Sequence, residues 1–154
     1  MTTVVGVISD THGLLRPEAL NALYGSDLIL HAGDIGRREV LDGLRQLAPV
    51  VAIRGNVDQG LWAETLPDTE VVEVAGLHLY LVHDRNTLSL DPVAARMAAV
   101  ISGHSHQPRQ EIHRGVLYFN PGSAGPRRFN LPVGVGRLKI ADSSIQGELL
   151  MLLG

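Results

Sequence analysis

The sequence predicts an α/β fold in which two packed β-sheets are flanked by helices. The first half of the 154-residue chain alternates Val-, Ile- and Leu-rich runs with stretches of helical period. The second half consists mostly of strand-like runs separated by Gly, Pro or Ser. Five of the apolar runs end in residues that can bind a metal, and ligands of α/β units gather beyond the carboxyl ends of their strands. Both patterns together favour two packed layers of sheet with a site at one edge.

The strand-like runs of the first half are short and continuous, which is typical of strands buried on both faces. Such runs cover residues 3–9, 28–32, 50–54 and, further along, 98–102. The stretch VVEVAGLHLYLVH carries Gly76 near its middle and predicts a β-hairpin that ends at His83. Residues 111–119, 133–140 and 144–152 are predicted to form further strands.

Three helices are predicted between these strands. The first starts at Pro17, which suits the first helical position, and ends at Gly25, where a C-terminal cap is expected. The second covers residues 40–47, in which apolar side chains recur with a helical period. Asp91 as N-cap and Pro92 at the first position predict the third helix.

Composition limits the chemistry. The chain has no cysteine, which excludes disulfides, iron–sulfur clusters and thiolate zinc sites and leaves oxygen and nitrogen as metal ligands. Its 13 Lys and Arg against 16 Asp and Glu give no basic excess, so nucleic-acid binding is not indicated.

A length of 154 residues and a sequence without a repeat or linker predict a single domain over residues 1–154. No signal-peptide pattern and no run of about 20 apolar residues is present, so we expect a cytoplasmic protein without a membrane partner. Leu61, Trp62 and Leu66 are interpreted as an exposed apolar patch, either loop packing or a surface for a homo-oligomer.

Seven metal-capable side chains follow the ends of the five runs. They are Asp10, His12, Asp34, Asn56, His83, His104 and His106. Carboxylate, amide and imidazole suit first-row divalent metals, and seven ligands are too many for one ion. Glycines 33, 55 and 103 precede three of these residues and allow positive φ and close approach to an ion, although such dipeptides are also common in turns. Their joint occurrence at one sheet edge favours a metal site.

The ordered motifs ISDTHG, HAGD, RGN, LVH, SGHSH and FNPGS resemble the calcineurin-like metallophosphoesterases, most closely their small single-domain phosphodiesterase branch. The resemblance runs from about residue 4 to residue 128 and implies a four-layer α-β-β-α sandwich with two mixed sheets. It implies one metal held by Asp10, His12, Asp34 and His106, and a second held by Asp34, Asn56, His83 and His104. Asp34 would bridge two divalent ions, with Mn the first choice and Ni, Fe, Zn or Co possible.

The sequence therefore predicts a binuclear phosphodiesterase in which a metal-bound hydroxide attacks the phosphorus of a small phosphoester. Two divalent cations and two carboxylates leave two positive charges, which one hydroxide and a diester monoanion neutralise. The alternative is a non-catalytic protein-binding scaffold, since a retromer coat subunit resembles the same branch. The complete ligand set argues against it. A nuclease, a cyclic-nucleotide phosphodiesterase and a dinucleoside polyphosphate hydrolase remain open.

Two positions depart from the family pattern. Val57 stands where many relatives carry a histidine that protonates the leaving group, which leaves solvent, metal-bound water or Asp58 for that step. Asp84 stands where relatives often have glycine and is expected either to repel phosphate or to hold Arg85. His31 is either a partner of the ligands or a packed strand residue. Candidates for phosphate contact are Arg54, Arg127 and Arg128.

Overall fold

Two mixed five-stranded sheets form the centre of the structure, a computed structural model that describes residues 1–153. The strands are β1 (Thr3–Ile8), β2 (Leu28–His31), β3 (Val50–Ala52), β4 (Thr69–Val74), β5 (Leu77–Val82), β6 (Ala99–Ile101), β7 (Arg109–His113), β8 (Val116–Asn120), β9 (Val133–Ala141) and β10 (Ser144–Leu153). The helices are α1 (Pro17–Leu23), α2 (Arg38–Arg45) and α3 (Leu61–Glu64). The sheet orders are β10-β9-β1-β2-β3 and β4-β5-β6-β8-β7. The predicted α/β fold with two mixed sheets is confirmed.

The parallel strands of each sheet end at the same level. In the first sheet, Ile8 of β1 aligns with His31 of β2, which aligns with Ala52 of β3. In the second sheet, Leu81 of β5 aligns with Ile101 of β6. Each sheet therefore delivers the loops that follow its parallel strands to one edge.

The largest core lies between the two sheets. Val7, Leu30, Leu79, Ile101 and Phe119, contributed by strands of both sheets, are at most 1% exposed and belong to one cluster. This burial of apolar side chains on the inner faces packs the sheets together. The loops at their carboxyl ends are thereby brought face to face.

The first two predicted helices cover the outer face of the first sheet. Leu23 of α1 packs in one cluster with Val40, Leu41 and Leu44 of α2 and with Ile29 of β2. Pro17 occupies the first position of α1, as predicted, and Gly25 follows that helix with a φ of 87°.

The prediction of a third helix, starting at Asp91 and Pro92, is wrong. Asp91 Oδ1 accepts hydrogen bonds from Val93 N and Ala94 N, as an N-cap does, but only a single turn forms. Arg96 then takes a φ of 59°, which ends the turn. The segment caps the outer face of the second sheet through partly buried side chains such as Met97 instead of through a helix.

Two further elements differ from the prediction. The proposed single strand over 111–119 is a hairpin of β7 and β8, because Arg114 and Gly115 both adopt positive φ and reverse the chain. Helix α3 was not predicted. The apolar patch predicted in its region, Leu61, Trp62 and Leu66, is only partly exposed. Leu61 is 82% exposed, whereas Trp62 packs against the core beneath α2. Within residues 1–153, no helix has the length and apolar character required to cross a bilayer.

Candidate metal centre

All seven predicted site residues lie in the loops at the carboxyl edge of the two sheets. Asp10 and His12 follow β1, Asp34 follows β2, Asn56 follows β3, His83 follows β5, and His104 and His106 follow β6. A hydrogen bond crosses between the sheets here, from the backbone N of His104 to Asp10 Oδ2 over 3.0 Å. The edge predicted from sequence is therefore where these side chains meet.

Asp10 is the centre of the first group of candidate ligands. Its Oδ2 accepts from Ser9 Oγ at 2.7 Å and from His104 N, which fixes the carboxylate. The other oxygen, Oδ1, lies 3.4 Å from His106 Nε2 and 3.9 Å from His12 Nε2. One carboxylate oxygen and two imidazoles therefore converge on a buried point.

Asp34 lies between the two halves of the cluster. Its Oδ1 accepts a hydrogen bond from Val57 N at 3.0 Å. Its Oδ2 lies 3.2 Å from His83 Nε2 and 3.8 Å from His12 Nε2. A single carboxylate oxygen thus faces an imidazole from each of the two sheets.

Asn56 and His104 complete the outer side of the cluster. Asn56 Nδ2 lies 3.4 Å from His104 Nδ1, and the His104 ring meets the His83 ring edge-on with centroids 5.2 Å apart. His104 Nε2 lies 3.7 Å from Asp84 Oδ2. Both residues are exposed, so this side of the cluster is open to solvent.

The charges of the cluster are mutually stabilising. Burial raises the pKa of Asp10, but the close contact with His106 and the hydrogen bond from Ser9 outweigh burial and bring its pKa below the usual value. Burial likewise opposes ionisation of Asp34, yet contact with His83 and the Val57 N–H holds the pKa of Asp34 well below its ordinary range. For His83, burial lowers the pKa, and the Asp34 carboxylate more than compensates and raises it to about 8.

The buried polar atoms of the cluster fit a metal. Among residues 1–153, four of them make no well-aligned hydrogen bond, namely Asp10 Oδ1, His12 Nε2, His83 Nε2 and His106 Nδ1. Buried polar atoms without partners are costly and rare, and Asp10 Oδ1 lies 3.9 Å from both His12 Nε2 and His83 Nε2, so these atoms fit a bound cation. His83 Nδ1 is bound to Ala32 O at 2.7 Å, which directs its Nε2 into the cluster as expected of a metal ligand.

Five of the seven residues hold an unusual backbone conformation. Asp10, His12, Asp34, His104 and His106 have φ between 48° and 71°. This left-handed backbone conformation is uncommon for residues other than glycine. Hydrogen bonds between loops hold it here, including Asp10 N to Gly33 O and His12 N to Asp34 O, both 3.0 Å. His104 and His106 therefore lie in a turning loop and not in an extended segment.

The glycines of the motifs act in two ways. Gly33 has a φ of 102°, as predicted, and a Cβ there would lie 2.7 Å from His83 Nδ1. Gly55 and Gly103 are absent from the positive-φ positions, so the prediction is wrong for them. They are needed for space, since a Cβ at Gly55 would overlap Asp34 and one at Gly103 would overlap Ser9.

Asp58 has a structural role. Its Oδ2 accepts from Ile35 N at 3.2 Å and from Gly55 N at 2.9 Å, and its Oδ1 accepts from Gly36 N at 2.9 Å. It is 4% exposed. Asp58 therefore ties the loop after β2 to the loop after β3, and the suggestion that it protonates a leaving group is not supported.

His31 is a packed residue that supports the same loops. Its Nδ1 accepts from Gly33 N at 3.1 Å, and its Nε2 lies 3.0 Å from Thr11 Oγ1, whose hydroxyl donates to Ile35 O. This pattern places the ring proton on Nε2. Complete burial lowers the pKa of His31 to about 4, so the ring is neutral.

Other charged candidates are engaged outside the cluster. Arg54 binds Asp68 at 3.0 Å, and Arg127 donates to Leu153 O at 3.1 Å. Arg85 pairs with Glu111 at 2.9 Å, so the expectation that Asp84 holds Arg85 is wrong. Asp84 instead accepts from Asn86 N and faces His104.

Comparison with known proteins assigns this arrangement to a family. A model of the calcineurin-like phosphoesterase superfamily domain matches residues 4–143. The chain belongs to the calcineurin-like phosphoesterase superfamily. It is 37% identical over 135 residues to a probable metallophosphoesterase of Methanocaldococcus jannaschii, which covers 79% of this chain and 68% of that protein.

Solved structures of other proteins share the fold. An archaeal phosphodiesterase superimposes with a TM-score of 0.79 at 23% identity, covering 96% of this chain and all of the other (100%). Vps29 of Entamoeba histolytica, solved in complex with zinc, gives a TM-score of 0.73 at 26% identity, covering 95% of this chain and 97% of that one. Superfamily membership supports a phosphoester hydrolase that uses divalent metal ions.

Proposed function

We propose that the chain is a binuclear metal-dependent phosphodiesterase acting on small ester substrates. The observation that carries the proposal is the position of Asp34 Oδ2, 3.8 Å from His12 Nε2 and 3.2 Å from His83 Nε2. A carboxylate that faces imidazoles on both sides is suited to bridge two ions, the arrangement found in two-metal sites.

Following the family resemblance, we divide the candidate ligands into two sets around this carboxylate. We assign the first ion to Asp10, His12, Asp34 and His106 and the second to Asp34, Asn56, His83 and His104. Both sets combine oxygen with imidazole nitrogen, which suits Mn as well as Ni, Fe, Zn or Co. Mn is our first choice. The structurally similar Vps29 of Entamoeba histolytica was solved in complex with zinc, which agrees with metal binding by this chain.

The charge of the site favours a diester. When bound, the two ions supply Lewis acidity that activates water and neutralises negative charge on phosphate. Asp10 and Asp34 are held ionised, so two divalent ions leave two positive charges for nucleophile and substrate. A diester monoanion with one hydroxide matches this charge, whereas a monoester dianion exceeds it. The structurally similar archaeal protein is named a phosphodiesterase, which agrees with this preference.

The residues around Asn56 restrict the leaving group. Val57 cannot donate a proton, and both oxygens of Asp58 accept from backbone N–H groups. Esters whose leaving oxygen is stable without protonation are therefore expected to react fastest. The buried candidate ligand atoms without hydrogen-bond partners favour an enzyme over a protein-binding scaffold, because a scaffold has no need for such atoms.

A hydrolysis screen of metal-stripped protein refilled with each candidate ion tests the proposal. We expect bis(p-nitrophenyl) phosphate to be cleaved faster than p-nitrophenyl phosphate, with about two Mn ions bound per chain by elemental analysis. Asp68→Asn, a change at an exposed carboxylate paired with Arg54, is the matched control for Asp34→Asn. Absence of hydrolysis with every ion would refute the enzyme, and saturation at one ion would refute the binuclear centre.

A further inference from the structure

A polar cavity of about 320 Å³ opens beside the metal centre. His104 and Asp84 line it on the side of the centre, while Arg85, Arg109 and Tyr118 line it further away. Neither Asp10 nor Asp34 borders it. His104 thus belongs both to the candidate ligand cluster and to the cavity wall, so a group in the cavity is adjacent to anything bound at the centre.

The outer wall carries two arginines that share one glutamate. Arg85 Nη1 lies 2.9 Å from Glu111 Oε1, and Arg109 Nη2 lies 3.3 Å from the same oxygen. The Arg85 guanidinium stacks over the Tyr118 ring, 4.6 Å from its centroid. One pairing does not exhaust the five N–H groups of a guanidinium, so these side chains retain donors for a ligand.

The inner wall is preformed and also polar. Asn120, which is buried, donates from Nδ2 to Gly103 O at 2.9 Å and to Ser105 Oγ at 3.2 Å, while its Oδ1 accepts from Gly122 N. The buried Ser102 borders the cavity beside it. These contacts fix the shape of the wall next to His104, so a ligand does not have to order it.

We infer that this cavity binds the non-reacting arm of a phosphodiester, and that this arm is neutral and carries hydroxyl groups, as a sugar or glycerol does. The inference rests on the proposed function. An anionic arm would meet Asp84, and the two arginines that could attract it already share Glu111, whereas a cationic arm would meet Arg85 and Arg109 themselves. An apolar arm would remove water from guanidinium and amide groups without replacing their hydrogen bonds. The volume is at the lower end of small-molecule pockets, which suits one arm rather than a polymer.

Two diesters with the same leaving group test the inference. Thymidine 5′-(p-nitrophenyl phosphate) offers a sugar arm, and phenyl p-nitrophenyl phosphate offers an apolar arm. For the Mn-loaded protein we expect kcat/KM to favour the thymidine ester by roughly tenfold, the value of one or two hydrogen bonds. Arg109→Ala should remove most of that preference through KM and leave the phenyl ester within about twofold.

Tyr118→Leu supplies a second variant, because it removes the surface on which Arg85 stacks. Arg45→Ala, at an exposed arginine of α2 that pairs with Asp42, is the matched control and should change neither ester. Equal kcat/KM values for the two esters in the parent protein would overturn the assignment of the cavity but not the proposed function. Equal losses of kcat/KM on both esters in Arg109→Ala and Tyr118→Leu would do the same. No hydrolysis of either ester with any metal would overturn the proposed function, and this inference with it.

Discussion

His83 Nε2 lies 3.2 Å from Asp34 Oδ2, which is the shortest distance between an imidazole and a carboxylate in the candidate metal centre. Burial opposes protonation of His83, but the carboxylate raises its pKa to about 8. In the metal-free protein at neutral pH, His83 is therefore largely protonated and paired with Asp34. That pair stabilises the metal-free fold fully below the unfolded pKa of about 6.5, and its contribution is lost as pH rises through 8.

Metal binding should release a proton from His83. Since a protonated imidazole cannot bind a metal, Mn²⁺ affinity is expected to rise between about pH 6 and pH 8. Calorimetric titration at pH 7 in two buffers of different ionisation heat measures the released protons. His83→Gln should abolish the His83 share of this release, and equal release from both proteins would contradict the assignment.

Asn56 serves only the second ion in our assignment, whereas Asp34 serves both. Asn56→Ala should therefore bind about one Mn ion per chain, and Asp34→Ala should bind weakly at both sites. Diester hydrolysis should fall by a few orders of magnitude in either variant. Circular dichroism checks that the fold is retained. Two tightly bound ions in Asn56→Ala would show that this residue is not a ligand.

Asp58→Ala should destabilise the protein by about 2–4 kcal/mol, because three backbone N–H groups lose their charged acceptor. Urea unfolding of metal-free protein measures the change. Asp68→Ala is the control, since Asp68 is an exposed partner of Arg54 and should cost less than about 1 kcal/mol. Similar values for the two variants would rule out the loop-tying role.

Val57→His should restore a proton donor at the leaving group. The Val57 side chain is 47% exposed, and only its backbone N–H binds Asp34, so the substitution keeps that hydrogen bond. Alkyl esters should gain up to about a hundredfold in rate, and aryl esters much less. The quantity to measure is the ratio of the alkyl-ester rate to the aryl-ester rate. The same ratio in Val57→His and in the parent protein would contradict the idea that the parent lacks a proton donor for the leaving group.

His31 should make the fold sensitive to acid. Burial lowers its pKa to about 4, so between about pH 4 and 6.5 the unfolded chain binds a proton that the folded chain does not. From this residue alone, the free energy of unfolding should fall as the pH decreases, by at most about 1.4 kcal/mol per pH unit. Urea unfolding of the parent and His31→Gln at several pH values isolates the effect. A constant difference between them would disprove it.

The location of the site could be predicted because it depends on local rules. Apolar runs identify strands, parallel strands end at one edge, and the polar residues that follow them must gather there. The backbone conformations could not be predicted, because Asp10 and Asp34 are left-handed through hydrogen bonds between distant loops. Asp58 was missed as a structural residue since its partners, apart from Gly55, lie more than 20 positions away.

The third helix shows why capping signals alone are insufficient. Asp91 and Pro92 do begin a helical turn, and Asp91 accepts the N–H groups expected of a cap. The residues that would continue the helix, 93–96, are exposed. Without an apolar face to bury, a short helix has little to stabilise it, and the chain turns away at Arg96.

The left-handed conformation of five candidate ligands has a consequence for how sequences of this superfamily diverge. A non-glycine residue in that region costs on the order of 1–3 kcal/mol, against a total of about 5–15 kcal/mol for a typical domain. A descendant that no longer bound metal would gain stability from glycine at position 12, where His12 Nε2 has no hydrogen-bond partner to lose. Glycine at that position is therefore the change to expect in a relative that has lost the metal centre.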